Sequence, residues 1–188
     1  MLLTWKRAEH MRLSTLRGSL PVRDLTVFAM LGAIMFMSKF LMQMLPSVHL
    51  LGLFIASITL TYRAKALIPI YVFILLDVVY WGLSAWEIPK LYVWLPLWLI
   101  FMLVGKINLP IKVQTPLYML LCALHGLSFG ALYAPVHAIM FGLNFQGMIA
   151  WIIVGLPFDI VHSISNFAAG TLIVPLALLL KRLDKGKF

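Results

Sequence analysis

The sequence has 188 residues, of which 63% are hydrophobic and only 11% are charged, and its formal net charge is +9. A soluble domain contains about 45–50% apolar and about 25% charged residues. This composition therefore excludes a soluble enzyme, a nucleic-acid-binding protein and a disordered chain. Because residues 50–60 and similar runs do not alternate apolar with polar side chains, we expect an all-α membrane protein.

Six apolar stretches predict membrane-crossing helices, since a bilayer core of ~30 Å needs about 20 helical residues. Turn residues separate them, for example Pro46 after the first stretch and residues 62–65 between the second and third. We expect a six-helix bundle over residues 24–182, between a basic N-terminal segment (residues 1–23) and a short tail (residues 183–188). The predicted crossings are residues 24–43, 47–61, 66–81, 91–104, 116–133 and 157–180.

The basic residues predict the orientation, because lysine and arginine concentrate in short cytoplasmic loops. In a six-crossing chain all of them except Lys39 and Lys90 fall on the side of the two termini. We therefore expect a multi-pass protein of the cell membrane with both termini cytoplasmic. The positive charge then reflects topology and attraction to anionic lipid, and it does not indicate nucleic acid.

The segment between the fifth and sixth stretches contains proline, glycine and amide residues. Residues 134–155 are expected to form a loop at the outer face with an interfacial or partly inserted helix. Trp151 suits the membrane interface, and Pro157 is expected in the first turn of the sixth helix. Trp86 and Trp94 are likewise expected to anchor the chain at the interface in preference to binding a ligand.

Ionisable side chains inside membrane helices are functional candidates by default, and here they gather in the predicted outer half. Asp159, His162 and Asn166 share one face of a helix because their spacing is i, i+3, i+7. Such groups beside aromatic side chains predict a small-molecule pocket open to the outside. The candidate substrate-binding residues are Lys39, Gln43, His49, Asp77, Trp81, Tyr92, His125, Asp159, His162 and Asn166.

Structural roles remain open for several of these residues. Lys39 can form an ion pair with Asp77, His125 can hydrogen-bond a neighbouring helix, and Asp159 can stabilise a helix start. The single cysteine, Cys122, is expected to be a buried, inert thiol.

The first helix carries small residues in its inner half. Ala29 and Ala33 are one turn apart, with Gly32 beside them. Small side chains let another helix approach closely, so this strip predicts a docking surface.

Four phrases of the sequence resemble one transporter family over about residues 24–182. They are Ala-Met-Leu-Gly-Ala at 29–33, His-Leu-Leu-Gly at 49–52, Tyr-Arg-Ala-Lys-Ala-Leu-Ile-Pro-Ile-Tyr at 62–71 and Gly-Leu-Pro-Phe-Asp-Ile-Val-His at 155–162. With six short spans and an alanine strip on the first helix, the chain resembles the S components of energy-coupling factor (ECF) vitamin transporters.

The resemblance implies a non-catalytic subunit that binds a vitamin from outside and holds no cofactor of its own. It would dock through Ala29, Gly32 and Ala33 on a transmembrane coupling subunit, which carries two ATPases that use ATP and magnesium. The phrasing is most similar to cobalamin-specific S components, and folate, pantothenate or a pyrimidine precursor are alternative substrates. Metal-ion uptake is not expected, because the family's metal-specific members have histidines where this chain has Leu2 and Leu3.

Two other classes remain open. One is a small intramembrane enzyme that uses Asp159 and His162 as acid and base. The other is an ion-coupled carrier built from Lys39, Asp77 and His162, although the two halves of the sequence show no inverted repeat. A metal site is not expected, since the histidines lack ligand spacing.

Overall fold

The computed structural model describes residues 21–184, and every regular element in that range is helical. The all-helical expectation is confirmed there. Most of the predicted N-terminal segment and residues 185–188 of the predicted tail lie outside the described residues. The helices are α1 (Val22–Leu41), α2 (Leu51–Tyr62), α3 (Leu67–Trp81), α4 (Lys90–Val93), α5 (Leu95–Val104), α6 (Ile111–Leu127), α7 (Phe129–Phe141), α8 (Phe145–Gly170) and α9 (Ile173–Asp184).

Four helical segments within the described residues are long and apolar enough to cross a membrane. They are Val22–Leu41, Leu51–Trp81, Ile111–Phe141 and Phe145–Gly170, and Lys90–Val104 forms a shorter apolar helix. Large apolar side chains are exposed on several helices, for example Met30, Val79 and Ile164. An apolar surface of this kind suits lipid, so the chain is a helical membrane protein.

The segment Leu51–Trp81 turns back on itself at a 3-10 turn, Arg63–Ala66. Arg63 has a positive φ of 56°, and its guanidinium donates a hydrogen bond to the carbonyl of Met102. The turn falls where residues 62–65 predict a break between two apolar stretches. It makes α2 and α3 run in opposite directions.

Contacts at both ends of α1 give the relative directions of the first helices. Lys65 forms an ion pair with Asp24 at 2.9 Å, and Lys39 forms one with Asp77 at 2.5 Å. Helices α1 and α3 therefore lie side by side and run in the same sense. Helix α2 is central, because residues on all its faces are buried.

Residues 134–155 do not form the expected outer loop. Helices α7 and α8 occupy most of this segment, and only residues 142–144 separate them. Gly142 adopts a left-handed conformation (φ 65°) that ends α7. The side chain of Asn144 then accepts a hydrogen bond from the Gly147 amide at 2.8 Å and caps α8.

The expected position of Pro157 is also wrong, since it lies inside α8 and not in a first turn. Membrane helices tolerate proline because neighbouring groups satisfy the freed backbone carbonyl. The predicted sixth crossing, residues 157–180, is divided between α8 and α9 by a turn after Gly170.

Helix α8 runs antiparallel to α6 and α7 at very short range. At Gly170 an added Cβ would lie 2.7 Å from the Cα of Met119, and at Gly126 it would lie 3.0 Å from the backbone of Ser163. Only glycine fits such contacts, because backbone on the facing helix cannot move aside as a flexible side chain can. These glycines set the distance between the helices.

We predict that Gly170→Ala lowers the melting temperature of the protein in detergent, since overpacking of this kind costs about 1–3 kcal/mol. The matched control is Gly155→Ala in the same helix, where an added Cβ meets nothing within 4 Å. Thermal unfolding followed by circular dichroism compares the two. Equal melting temperatures would show that the close approach at Gly170 is not needed.

Candidate functional site

A cavity of about 450 Å³ lies at the end of the bundle opposite the Asp24–Lys65 ion pair. This volume falls within the range of about 300–1,000 Å³ that is typical of small-molecule sites. Its walls come from the end of α1, the connection to α2 and the first residue of α2, from α3, from residues 86–94 around α4, and from α7 and α8. The lining residues are Lys39, Ser47, His49, Leu51, Phe73, Trp86, Lys90, Trp94, Phe129, Gly130, Tyr133, Trp151, Gly155, Phe158, Asp159 and His162.

A group of aromatic rings forms one wall of the cavity. The rings of Trp86 and Trp151 both contact His137, each with its ring centre 4.7 Å from that of the imidazole, and the two indole centres lie 6.4 Å apart. The hydroxyl of Tyr133 donates a hydrogen bond to the Trp86 carbonyl at 3.3 Å. Trp86 is thereby held at the cavity while 59% of its surface stays exposed, so it lies at the mouth.

A second aromatic group closes the inner end of the cavity. Trp94 is 2% exposed and stacks on the His125 ring, with the ring centres 5.6 Å apart. The expected interfacial role of Trp94 is therefore wrong, because a side chain buried in the bundle cannot contact lipid headgroups. Trp151 is partly exposed and lines the cavity.

Two histidines face each other at the inner end. The rings of His49 and His162 lie 4.4 Å apart, centre to centre. Burial lowers the pKa of His49, in the connection before α2, to about 4, so this imidazole is neutral at physiological pH. His49 Nδ1 and His162 Nε2 have no hydrogen-bond partner in the described part of the chain. Both atoms are also inaccessible to solvent, so they are buried, unpaired polar groups at the inner end of the cavity.

Asp159 lies in the middle of α8 and points at the start of α7. Both of its carboxylate oxygens accept a hydrogen bond from the backbone amide of Gly130, at 3.1 and 3.0 Å. A carboxylate is favourable there because the first turn of a helix has unpaired N–H groups. Asp159 thus stabilises a helix start, but that of α7 and not of its own helix.

Four charged side chains form a buried cluster beside the cavity. Lys39 and Lys90 both contact the same oxygen of Asp77, each at 2.5 Å, and Lys90 also contacts Glu87 at 2.6 Å. Asp77 is completely buried. The predicted ion pair between Lys39 and Asp77 is confirmed as part of this larger cluster, defined here as Lys39, Asp77, Glu87 and Lys90.

Four of the sequence-predicted site residues line the cavity: Lys39, His49, Asp159 and His162. Three more are buried behind its wall. Asp77 belongs to the charged cluster, the imidazole Nε2 of His125 lies 2.9 Å from the Val93 carbonyl, and Asn166 donates to the Cys122 carbonyl at 3.3 Å. The interhelical hydrogen bond considered for His125 is therefore confirmed.

The other three predicted residues lie outside the cavity lining. Gln43 is exposed, and Trp81 is 53% exposed and packs on Tyr80. The hydroxyl of Tyr92 donates to the carbonyl of Leu132 at 2.5 Å.

Sequence reasoning missed several lining residues, notably Ser47, Lys90, Phe129, Tyr133 and Phe158. Most of them lie on α7 and α8. Helices α7 and α8 form one helical hairpin. Their antiparallel pairing brings these side chains close to Asp159 on α8.

The three residues of the predicted docking strip on α1 differ in their exposure. Ala29 is exposed and Ala33 is partly exposed, whereas Gly32 is buried. An added Cβ at Gly32 would lie 2.6 Å from Val72. Gly32 therefore packs against α3 and does not belong to an outer docking surface.

No family model, curated protein or solved structure matches this chain. Within residues 21–184 there is also no group of three or more histidine, cysteine or acidic side chains that could hold a metal ion.

We predict that Asp159→Ala lowers the melting temperature in detergent, because the buried Gly130 amide loses its acceptor at a cost of about 1–3 kcal/mol. The matched variant Asp159→Asn keeps an oxygen acceptor of nearly the same shape and should melt closer to the parent protein. If both variants melt at the same temperature as the parent, this hydrogen bond does not stabilise the start of α7.

Proposed function

We propose that this chain is a substrate-binding membrane subunit that captures a small organic molecule at the outer face. The observation that carries the proposal is the aromatic cavity of about 450 Å³, which has a few polar side chains at defined positions. The lining is mostly apolar, with Lys39, His49, Lys90 and Asp159 among its polar members. This composition is typical of sites that bind a small ligand and fix its orientation.

The S component of an ECF importer is the class that combines such a cavity with the sequence resemblance. In that role the chain crosses the membrane six times, with both termini cytoplasmic. The reversal at Arg63–Ala66 supports two crossings within Leu51–Trp81. Arg23 and Lys65 lie at the end opposite the cavity, as expected if that end is cytoplasmic and the cavity opens outwards.

Energy for uptake would come from partners, namely a transmembrane coupling subunit and two ATPases that use ATP and magnesium. The exposed and partly exposed alanines of α1, Ala29 and Ala33, support docking through this helix. They lie beside the exposed apolar side chains of Met30 and Ile34. The chain itself needs no catalytic group for this function.

The size of the cavity bears on the substrate. A corrinoid combines a macrocycle with a nucleotide arm and would extend well beyond a cavity of about 450 Å³. A vitamin or vitamin precursor that is an open chain or has one or two rings would fit inside it. The cavity therefore favours pantothenate, a pyrimidine precursor or a molecule of similar size over cobalamin, although the sequence phrasing is most similar to cobalamin-specific S components.

The decisive experiment is uptake of labelled vitamins by a host that lacks its own importers. The host expresses this chain with and without an ECF coupling module, and the panel includes cobalamin, folate, pantothenate and a pyrimidine precursor. We expect uptake of one compound only when chain and module are both present. Uptake driven by an ion gradient without the module would instead identify a carrier, and chemical conversion of a compound would identify an enzyme.

We predict that Ala33→Phe on α1 reduces uptake at least about tenfold but changes ligand affinity less than about twofold, because a bulky side chain blocks close helix approach. The matched control is Leu75→Phe on α3, where the side chain is 62% exposed and away from the alanine strip. Binding and uptake are measured separately for both variants. Full uptake by the Ala33→Phe protein would contradict docking through this strip.

A further inference from the structure

The charged cluster presents mainly its cations to the cavity. Lys39 and Lys90 line the cavity, whereas Asp77 and Glu87 do not. Asp77 is completely buried and Glu87 is 3% exposed. The carboxylates therefore lie behind the two ammonium groups, and a ligand in the cavity meets positive charge at this wall.

The two ammonium groups are also close together. Each nitrogen lies 2.5 Å from the same oxygen of Asp77, so the two nitrogens are separated by no more than twice that distance. Like charges at such short range repel strongly in a low-dielectric interior. Asp77 and Glu87 offset part of this repulsion from behind, and an anion on the cavity side would offset more.

Both lysines keep hydrogen-bonding capacity for a ligand. An ammonium group has three donors. Lys39 uses one of them on Asp77, and Lys90 uses one on Asp77 and one on Glu87. The remaining donors have no acceptor within residues 21–184. They are available to an oxygen atom of a ligand.

The rest of the cavity suits the other parts of such a ligand. Its walls include the rings of Trp86, Trp94 and Phe129, which favour a planar apolar body. The rings of His49 and His162 add contact surface at the inner end. Among the described residues, Asp159 is the only acidic side chain of the lining, and it is held by Gly130.

We propose that the ligand of this cavity is a carboxylic acid with a planar apolar body, and that Lys39 and Lys90 bind its carboxylate. This inference rests on the proposed substrate-binding function, and it specifies the chemical class of the substrate. Within the vitamin panel it favours folate, an acid with planar rings, over pantothenate, an acid without a planar ring, and over cobalamin and the pyrimidine precursor.

Matched pairs of acid and neutral analogue test the inference on the full chain purified in detergent. Suitable pairs with a planar ring are nicotinate and nicotinamide, and indoleacetate and indoleacetamide. Isothermal titration measures the affinity for each compound. We expect at least one acid to bind about tenfold or more tightly than its neutral partner, since hydrogen bonds between charged groups are stronger than neutral ones.

A variant of Lys90 tests whether the preference for acids over neutral analogues depends on the charged cluster. The double variant Lys90→Met with Glu87→Gln removes one cation and one anion, so the cluster keeps its balance of charge and the fold is protected. We expect this variant to lose about tenfold in affinity for the acid and to bind the neutral analogue as before. The control is Lys65→Met, which removes a lysine paired with Asp24 at the opposite end of the bundle.

The outcomes separate this inference from the proposed function. Equal or tighter binding of the neutral analogues, no binding of any acid, or unchanged acid affinity in the double variant overturns the carboxylate inference. Module-dependent uptake of a neutral compound would then leave the proposed function standing. Conversely, acid binding that depends on Lys90 without module-dependent uptake supports the carboxylate site and overturns the transport function.

Discussion

The close packing of α8 against α6 and α7 is the interaction on which the cavity depends. Gly126 and Gly170 allow backbone to approach backbone, and the amide of Gly130 binds the carboxylate of Asp159. These contacts follow α8 from Asp159 to Gly170, so they fix the rotation of α8 as well as its distance. With α8 in this rotation Asp159 and His162 face inwards, and its apolar side chains, such as Ile160 and Ile164, stay exposed.

The opposite wall depends on charge in place of close packing. A buried carboxylate such as Asp77 is unfavourable unless cations and hydrogen bonds compensate it, and here both Lys39 and Lys90 do so. These contacts join α1, α3 and α4, which have no glycine contacts with α8. The wall formed by α7 and α8 is thus held by close packing, and the wall formed by α1, α3 and α4 is held by ion pairs. The charge of a ligand would therefore affect the stability of the ion-paired wall more than that of the closely packed wall.

Helical periodicity and charge predicted part of the site correctly. Asp159, His162 and Asn166 lie on one buried face of α8, and Lys39 pairs with Asp77 because their helices run side by side. The hairpin of α7 and α8 was not predictable in the same way, since Gly142, Asn144 and Pro157 resemble the residues of a loop. A turn of three residues and a tolerated proline depend on tertiary packing, which local sequence rules do not contain. The positions of Gln43 and Trp81 outside the cavity lining have a related cause, since hydropathy gives the depth of a residue in the membrane but not the direction in which it faces.

The position of the tryptophans has a practical consequence. Of the six tryptophans in the chain, Trp86, Trp94 and Trp151 line the cavity, at its mouth, its inner end and its side wall. Indole emission responds to nearby polarity and to contact with other aromatic rings. The intrinsic fluorescence of the protein should therefore report whether the cavity is occupied, without any label. A blue shift would indicate that a ligand has displaced water from the exposed ring of Trp86, and this signal would allow a search for ligands before any of them has been named.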